Sequence, residues 1–154
     1  MNRIETIQAA SKYAREAHAI ICIDGIPFDE LVHRAAPSRL PLGLVPTLLD
    51  WLCDPVERTL VRGRILPPVG KPSRAPILMC PDDCDLLCTV VVAEVVNHDT
   101  AVCWNQIGID SSDPEDTPFS VGTTVDWLND IGPFYFSHTD YQQFIAAFGV
   151  IVAS

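Results

Sequence analysis

Cys80, Cys84 and Cys88 recur at four-residue intervals, and Asp82, Asp83 and Asp85 lie between them. Thiolates are soft metal ligands, and three of them with Cys103 or His98 as a fourth would complete a zinc tetrahedron. Structural zinc knuckles, however, use C-x2-C or C-x4-C pairs, whereas this stretch has a single run with three-residue gaps. The expectation is therefore a tight corner of small, buried thiols, since free cysteine behaves as a small hydrophobe. No cofactor is expected. A zinc-stabilised module on Cys80, Cys84 and Cys88 is the alternative reading.

A cysteine nucleophile would need a histidine base, and His18, His33, His98 and His138 are the choices. No protease or transferase signature surrounds any cysteine, and carboxylates nearby raise a thiol's pKa and blunt it. A small Cys/His enzyme is thus a second alternative, with no catalytic residue assigned. Asp110, Asp113, Glu115 and Asp116 crowd one segment. Read as an EF-type calcium loop from Asp110, it has Glu115 where glycine is required and Val121 where the bidentate acid belongs. A solvated loop is expected. Phosphate-binding glycine loops, H-E-x-x-H and G-x-S-x-G are absent.

Charge is more informative. The net charge is −10 over 154 residues. All ten basic residues, Arg3 to Arg74, fall in the first 74 positions beside eight carboxylates, leaving that segment near +2. The remaining 80 residues carry twelve carboxylates and no lysine or arginine. Such a segment cannot neutralise itself. It attracts cationic partners and repels nucleic acid.

The elements that would carry these groups follow from periodicity. Ile4, Ile7, Ala10, Tyr13, Ala14 and Ala17 predict an amphipathic helix over 3–18. Ile20-Ile21-Cys22-Ile23 reads as a buried strand ended by Asp24-Gly25. Residues 26–34 read as a short helix with Pro27 in its first turn, and 46–53 as another, closed by Asp54-Pro55. Residues 57–66 alternate as a strand with an arginine-bearing face. The Pro-rich loop 67–76 is a soft internal boundary in a chain expected to form one domain over 1–154. Residues 77–80, then 86–96 and 101–109 joined by a hairpin loop, read as strands. Short strands are expected at 119–121, 124–128 and 134–136. Ser137-x-x-Asp140 opens a C-terminal helix with Tyr141, Phe144, Ile145 and Phe148 on one face and Gly149 at its end. The fold class is α+β: an antiparallel sheet built on a central hairpin (about 86–109), with N-terminal and C-terminal helices packed on it.

No apolar run approaches the roughly 18 residues that span a bilayer, and the N-terminus lacks a secretory apolar segment. With six cysteines and no export signal, free thiols and a cytoplasmic location are expected.

Small size, cytosolic character, an acidic face and no catalytic motif resemble the immunity proteins of bacterial polymorphic-toxin and contact-dependent inhibition systems. The resemblance is one of overall character. It implies a protein that neutralises a cognate basic toxin through an acidic surface, without enzymatic activity and without nucleic-acid or membrane partners. On that reading Asp82, Asp83, Asp85, Asp110, Asp113, Glu115 and Asp116 would be contact carboxylates. Trp104, Trp127 and Tyr135 would be the aromatic anchors.

Overall fold

Val90–Asn97 and Val102–Asp110 form the central hairpin, as the valine-rich first strand and the loop between them predict. A computed structural model describes residues 1–10, 17–112 and 118–150. Element order is β1 (Ile4–Ala10), β2 (Ala17–Ile23), β3 (Ile26–Pro27), α1 (Phe28–Ala35), β4 (Val45–Pro46), α2 (Pro55–Arg64), β5 (Ser73–Met79), β6 (Val90–Asn97), β7 (Val102–Asp110), β8 (Val125–Trp127), β9 (Phe134–Phe136) and α3 (His138–Ala146). The fold is α+β, with two antiparallel sheets. One has the order β1-β2-β3. The other runs β4-β5-β6-β7-β8, with β9 also on β7. The N-terminus ties the sheets together: Asn2 bridges to Phe136, and its N–H donates to the Tyr135 carbonyl.

Four local readings are corrected here. The helix expected over 3–18 is instead β1, paired along its length with β2, from Ile4 opposite Ile23 to Ala10 opposite Ala17. Residues 11–16 lie outside the described residues. The three-residue spacing of Ile4 and Ile7 fits a helix, but Ile4 is buried and Ile7 is 42% exposed, so they do not share a face. Pairing with the apolar β2 outweighs local helical propensity. The strand expected over 57–66 is α2. Asp54 caps it by accepting from the Val56 N–H, Pro55 starts it, and Glu57, Leu60 and Val61 are buried at helical spacing. Asp54-Pro55 therefore opens a helix rather than closing one over 46–53, where only β4 and turns are found. Pro118–Ser120 is a 3-10 turn where an edge strand was expected.

The readings at α1, β2 and α3 hold. Ser137 caps α3 through the Asp140 N–H. Gly149, at φ 81°, ends it with Val150 N–H on the Ile145 carbonyl and Gly149 N–H on the Ala146 carbonyl. α3 packs on β1, α2 on β5, and α1 on β2 and β3. One continuous apolar cluster runs through both sheets and all three helices. Trp104 is its hub, with ring centroids of Phe28, Phe136, Tyr141 and Phe144 at 5.3, 5.2, 6.4 and 6.2 Å. Among the described residues no helix is long and apolar enough to cross a membrane.

Candidate functional site

Strand register decides which loops meet. Val45 pairs with Met79, Met79 with Val90, Val91 with Ile109, and Asp110 with Val125. The turn joining β5 to β6, residues 80–89, therefore leaves the same end of the six-stranded sheet as the segment that follows Asp110. A sequence segregated in charge thus sends two acidic connections to one end.

The 80–89 turn is tied down from several sides. The Cys84 N–H donates to the Cys80 carbonyl at 3.0 Å, and Cys84 takes the left-handed conformation at φ 48°. Its thiol turns back to the Pro81 carbonyl at 3.2 Å. Asp85 accepts from the Leu87 N–H at 3.0 Å, a local Asx turn. The buried Glu57 of α2 reaches across to accept from the Leu86 N–H at 2.9 Å. This last contact anchors the turn to a rigid helix and places the α2 cap, Asp54, beside it.

The turn sorts its cysteines. Ligand atoms of Cys80, Asp83 and Cys88 lie within 4.8 Å of one another. Cys84 stands apart from this trio, with its thiol on Pro81 and near Cys53. The three-cysteine set is therefore replaced by two cysteines and one carboxylate. Cys103 and His98 lie at the opposite end of the hairpin, next to the Asn97–Val102 pair. Seven residues of strand at about 3.3 Å each put them roughly 20 Å away, out of reach as fourth ligands.

Electrostatics at the turn are one-sided. Burial, then the hydrogen bond and charge of Cys88 and the charges of Asp83 and Asp82, push the Cys80 thiol up to about 11. Burial also raises Cys84, helped by Cys53, Asp85, Asp83 and Asp82. With burial and neighbouring acids all acting in one direction, both are thiols and weak nucleophiles at neutral pH. Among the described residues no imidazole is hydrogen-bonded to a thiol: His18 and His33 face the carbonyls of Ala19 and Leu40, and His138 that of His98. A groove of about 260 Å³ lined by Ile21, Phe28, Leu44, Leu78, Asp29 and Glu30 contains neither cysteine nor histidine. Glu57 is raised above the ordinary glutamate value by burial, opposed by the Leu86 N–H and reinforced by Asp54 and Asp85.

Comparison with protein-family models, with curated proteins and with solved structures finds no match.

The remaining expected contact residues separate. Asp82 and Asp83 are exposed, and Asp85 and Asp110 are half-buried. The Asp110 carboxylate is occupied, accepting from Ser112 Oγ at 2.7 Å and from the Gly122 N–H at 3.0 Å. Asp113, Glu115 and Asp116 lie outside the described residues. Trp104 is fully buried, with Nε1–H donating to the Tyr141 hydroxyl, so it is a core residue and not a docking anchor. Trp127 is half-buried under the Arg74 guanidinium, 5.4 Å from the ring centroid. Tyr135 is 46% exposed but pairs with Cys103, at the far end from the acidic turn. The sequence reading missed Asp54 and Glu57. Their signal was the run Asp54-Pro55-Val56-Glu57, an N-cap, a proline and an acid in the first helical turn.

Proposed function

We propose that this protein is an inhibitor of the immunity type, which docks its acidic turn on a basic toxin domain. The observation that carries the reading is the uncompensated charge at one sheet end. Asp54, Asp82, Asp83 and Asp85 gather there, and no ion pair among the described residues reaches any of them. The arginines flanking the change in composition are engaged elsewhere. Arg64 donates to the Phe119 and Val121 carbonyls and Arg74 to those of Gly122 and Thr123.

Unpaired carboxylates on a rigid turn steer a cationic partner over about one Debye length, roughly 10 Å at 0.1 M salt. Such steering raises association rates by roughly 10- to 1,000-fold, which suits an inhibitor that must intercept a toxin quickly. The contact is assigned to the 80–89 turn with Asp54, and not to Trp104. The test is co-expression with a basic toxin domain encoded immediately beside this chain, followed by stopped-flow association at low and high salt. Growth should be rescued. Asp82→Lys with Asp83→Lys should slow association by about tenfold or more at low salt and flatten its salt dependence. Neither rescue nor binding, or a rate indifferent to the two substitutions, would refute the proposal.

A further inference from the structure

We propose that Cys80, Asp83 and Cys88 form a binding site for a thiophilic divalent cation of the zinc class, with Cys84 excluded and one coordination position open. This site goes beyond the docking role and stands independently of it. Tetrahedral zinc with Zn–S near 2.3 Å holds two thiolates about 3.8 Å apart. The three ligand atoms already lie within 4.8 Å of one another, so closure on an ion asks for a shift of about an ångström.

The turn is suited to that small closure. Its backbone is fixed by the Cys84-to-Cys80 and Leu87-to-Asp85 hydrogen bonds. Glu57 holds the Leu86 N–H from outside the ligand set. It is a positioning residue, comparable to the outer partners that orient metal ligands elsewhere. Asp83 and Cys88 reach the surface while Cys80 is half-buried, so an ion can enter from solvent and settle against the turn. Two thiolates select zinc, cobalt or cadmium over magnesium and calcium, whose sites are built from oxygen. Binding one divalent ion releases the two thiol protons to solvent. The resulting centre, with two thiolates and one carboxylate, carries a net charge of −1. Water or a partner's side chain would fill the open position.

The four-residue periodicity of the cysteines misleads about the ligands. The middle cysteine adopts the left-handed conformation that turns the chain, and its thiol is committed to Pro81. The eight-residue separation of Cys80 and Cys88, closed by that turn, is what brings two sulfurs together.

The test is anaerobic titration of the full chain with Co2+, then displacement by Zn2+, with a phosphine reductant keeping thiols reduced. The expected result is one equivalent of cobalt with the charge-transfer absorption of bound thiolate and the visible bands of a tetrahedral ion. Cys80→Ser or Cys88→Ser should weaken binding by more than about 100-fold, beyond the roughly 10- to 100-fold expected for losing an outer partner. Cys84→Ser should leave the cobalt spectrum and affinity within about threefold of the parent, because it supplies no ligand in the tetrahedral set. Absence of a stoichiometric thiolate–cobalt band in the unmodified protein overturns the site. So does a Cys84→Ser loss as large as that of Cys80→Ser.

Discussion

Replacing Tyr141 by phenylalanine tests the polar node inside the aromatic core. Tyr141 and Trp104 are both fully buried. The Trp104 Nε1–H donates to the Tyr141 hydroxyl at 3.2 Å, and that hydroxyl donates to the Ile65 carbonyl at 2.5 Å. One oxygen therefore links β7, α3 and the end of α2. Phenylalanine preserves the ring and its contacts with Phe136 and Phe144, 5.9 and 5.4 Å away. What is lost is an acceptor for a buried indole N–H and a donor to a buried carbonyl.

Each orphaned group costs about 1–3 kcal/mol. The two together should lower stability by about 2–4 kcal/mol, part of the sum being relieved as neighbours relax. For a chain of this size that corresponds to a fall of roughly 5–15 °C in Tm. Trp104→Phe removes the same donor while creating a cavity. Adding Tyr141→Phe to it should then cost at least about 1 kcal/mol less than adding it to the parent. The assay is urea unfolding followed by tryptophan fluorescence, with m-values compared to confirm that the native state stays compact. A Tyr141→Phe loss below about 0.5 kcal/mol, the size of an ordinary surface substitution, would refute the account of the node. Full additivity in the double variant would do the same.

Glu57→Gln keeps an acceptor for the Leu86 N–H while removing a buried charge. Because burial holds the native Glu57 pKa above its unfolded value, the parent should lose stability as pH rises through the raised value; the variant should be flat across that window and at least as stable at pH about 7. Equal pH slopes in chemical unfolding of the two proteins would contradict this. Gly108 lies where a Cβ would meet the Asp126 carbonyl oxygen and Val125 Cγ1, each at 2.6 Å. Gly108→Ala should push β8 off β7, cost about 1–3 kcal/mol, and speed hydrogen exchange at residues 125–127; unchanged exchange there would count against the close approach.

The parts of the fold legible in sequence are those where one periodicity is satisfied and the other is not. The valine-rich run of β6 has no helical stripe, and the Tyr141, Phe144, Ile145 and Phe148 face of α3 has no strand alternation. β1 carries a helical spacing without strand alternation and is made a strand by its pairing with β2, whereas α2 satisfies both patterns. Thr59, Val61, Gly63 and Ile65 alternate as a strand would, yet Glu57, Leu60, Val61 and Ile65 also line one helical face. The cap at Asp54 and the packing of α2 on β5 decide for the helix. At the site, a tight corner was legible from its cysteines and aspartates, but its extent was not: residues 86–89, expected to open the strand, belong to the turn, and β6 begins at Val90. The contribution of Glu57 was not, because it depends on a helix packing against a turn almost thirty residues away in sequence.

On the proposed docking role, register bears on which of two connections would meet a partner, the 80–89 turn or the segment that follows Asp110. Both leave the same sheet end, but among the described ion pairs and hydrogen bonds the arginines of the first half of the chain reach one of them. Arg39 pairs with Asp126 at 2.9 Å, Arg74 covers Trp127, and Arg64 interacts with Asp110 while holding the Phe119 and Val121 carbonyls. All three act on the β7–β8 side, where their charge partly cancels the carboxylates and their donors rigidify residues 119–123. On the β4–β5–β6 side the turn has Asp82 and Asp83 exposed, Asp54 contributed by α2, and no such arginine among the described ion pairs. An approaching cation is attracted by the field that remains after internal compensation, so Asp110 and Asp126 contribute less than the carboxylates left open beside Cys80 and Cys88. A divalent ion held by Cys80, Asp83 and Cys88 would act on that same residual field. After two thiol protons are released, its bound centre has the same net charge of −1 as the unbound thiols and carboxylate, so metal loading should alter the rigidity of the turn more than its attraction for a basic partner.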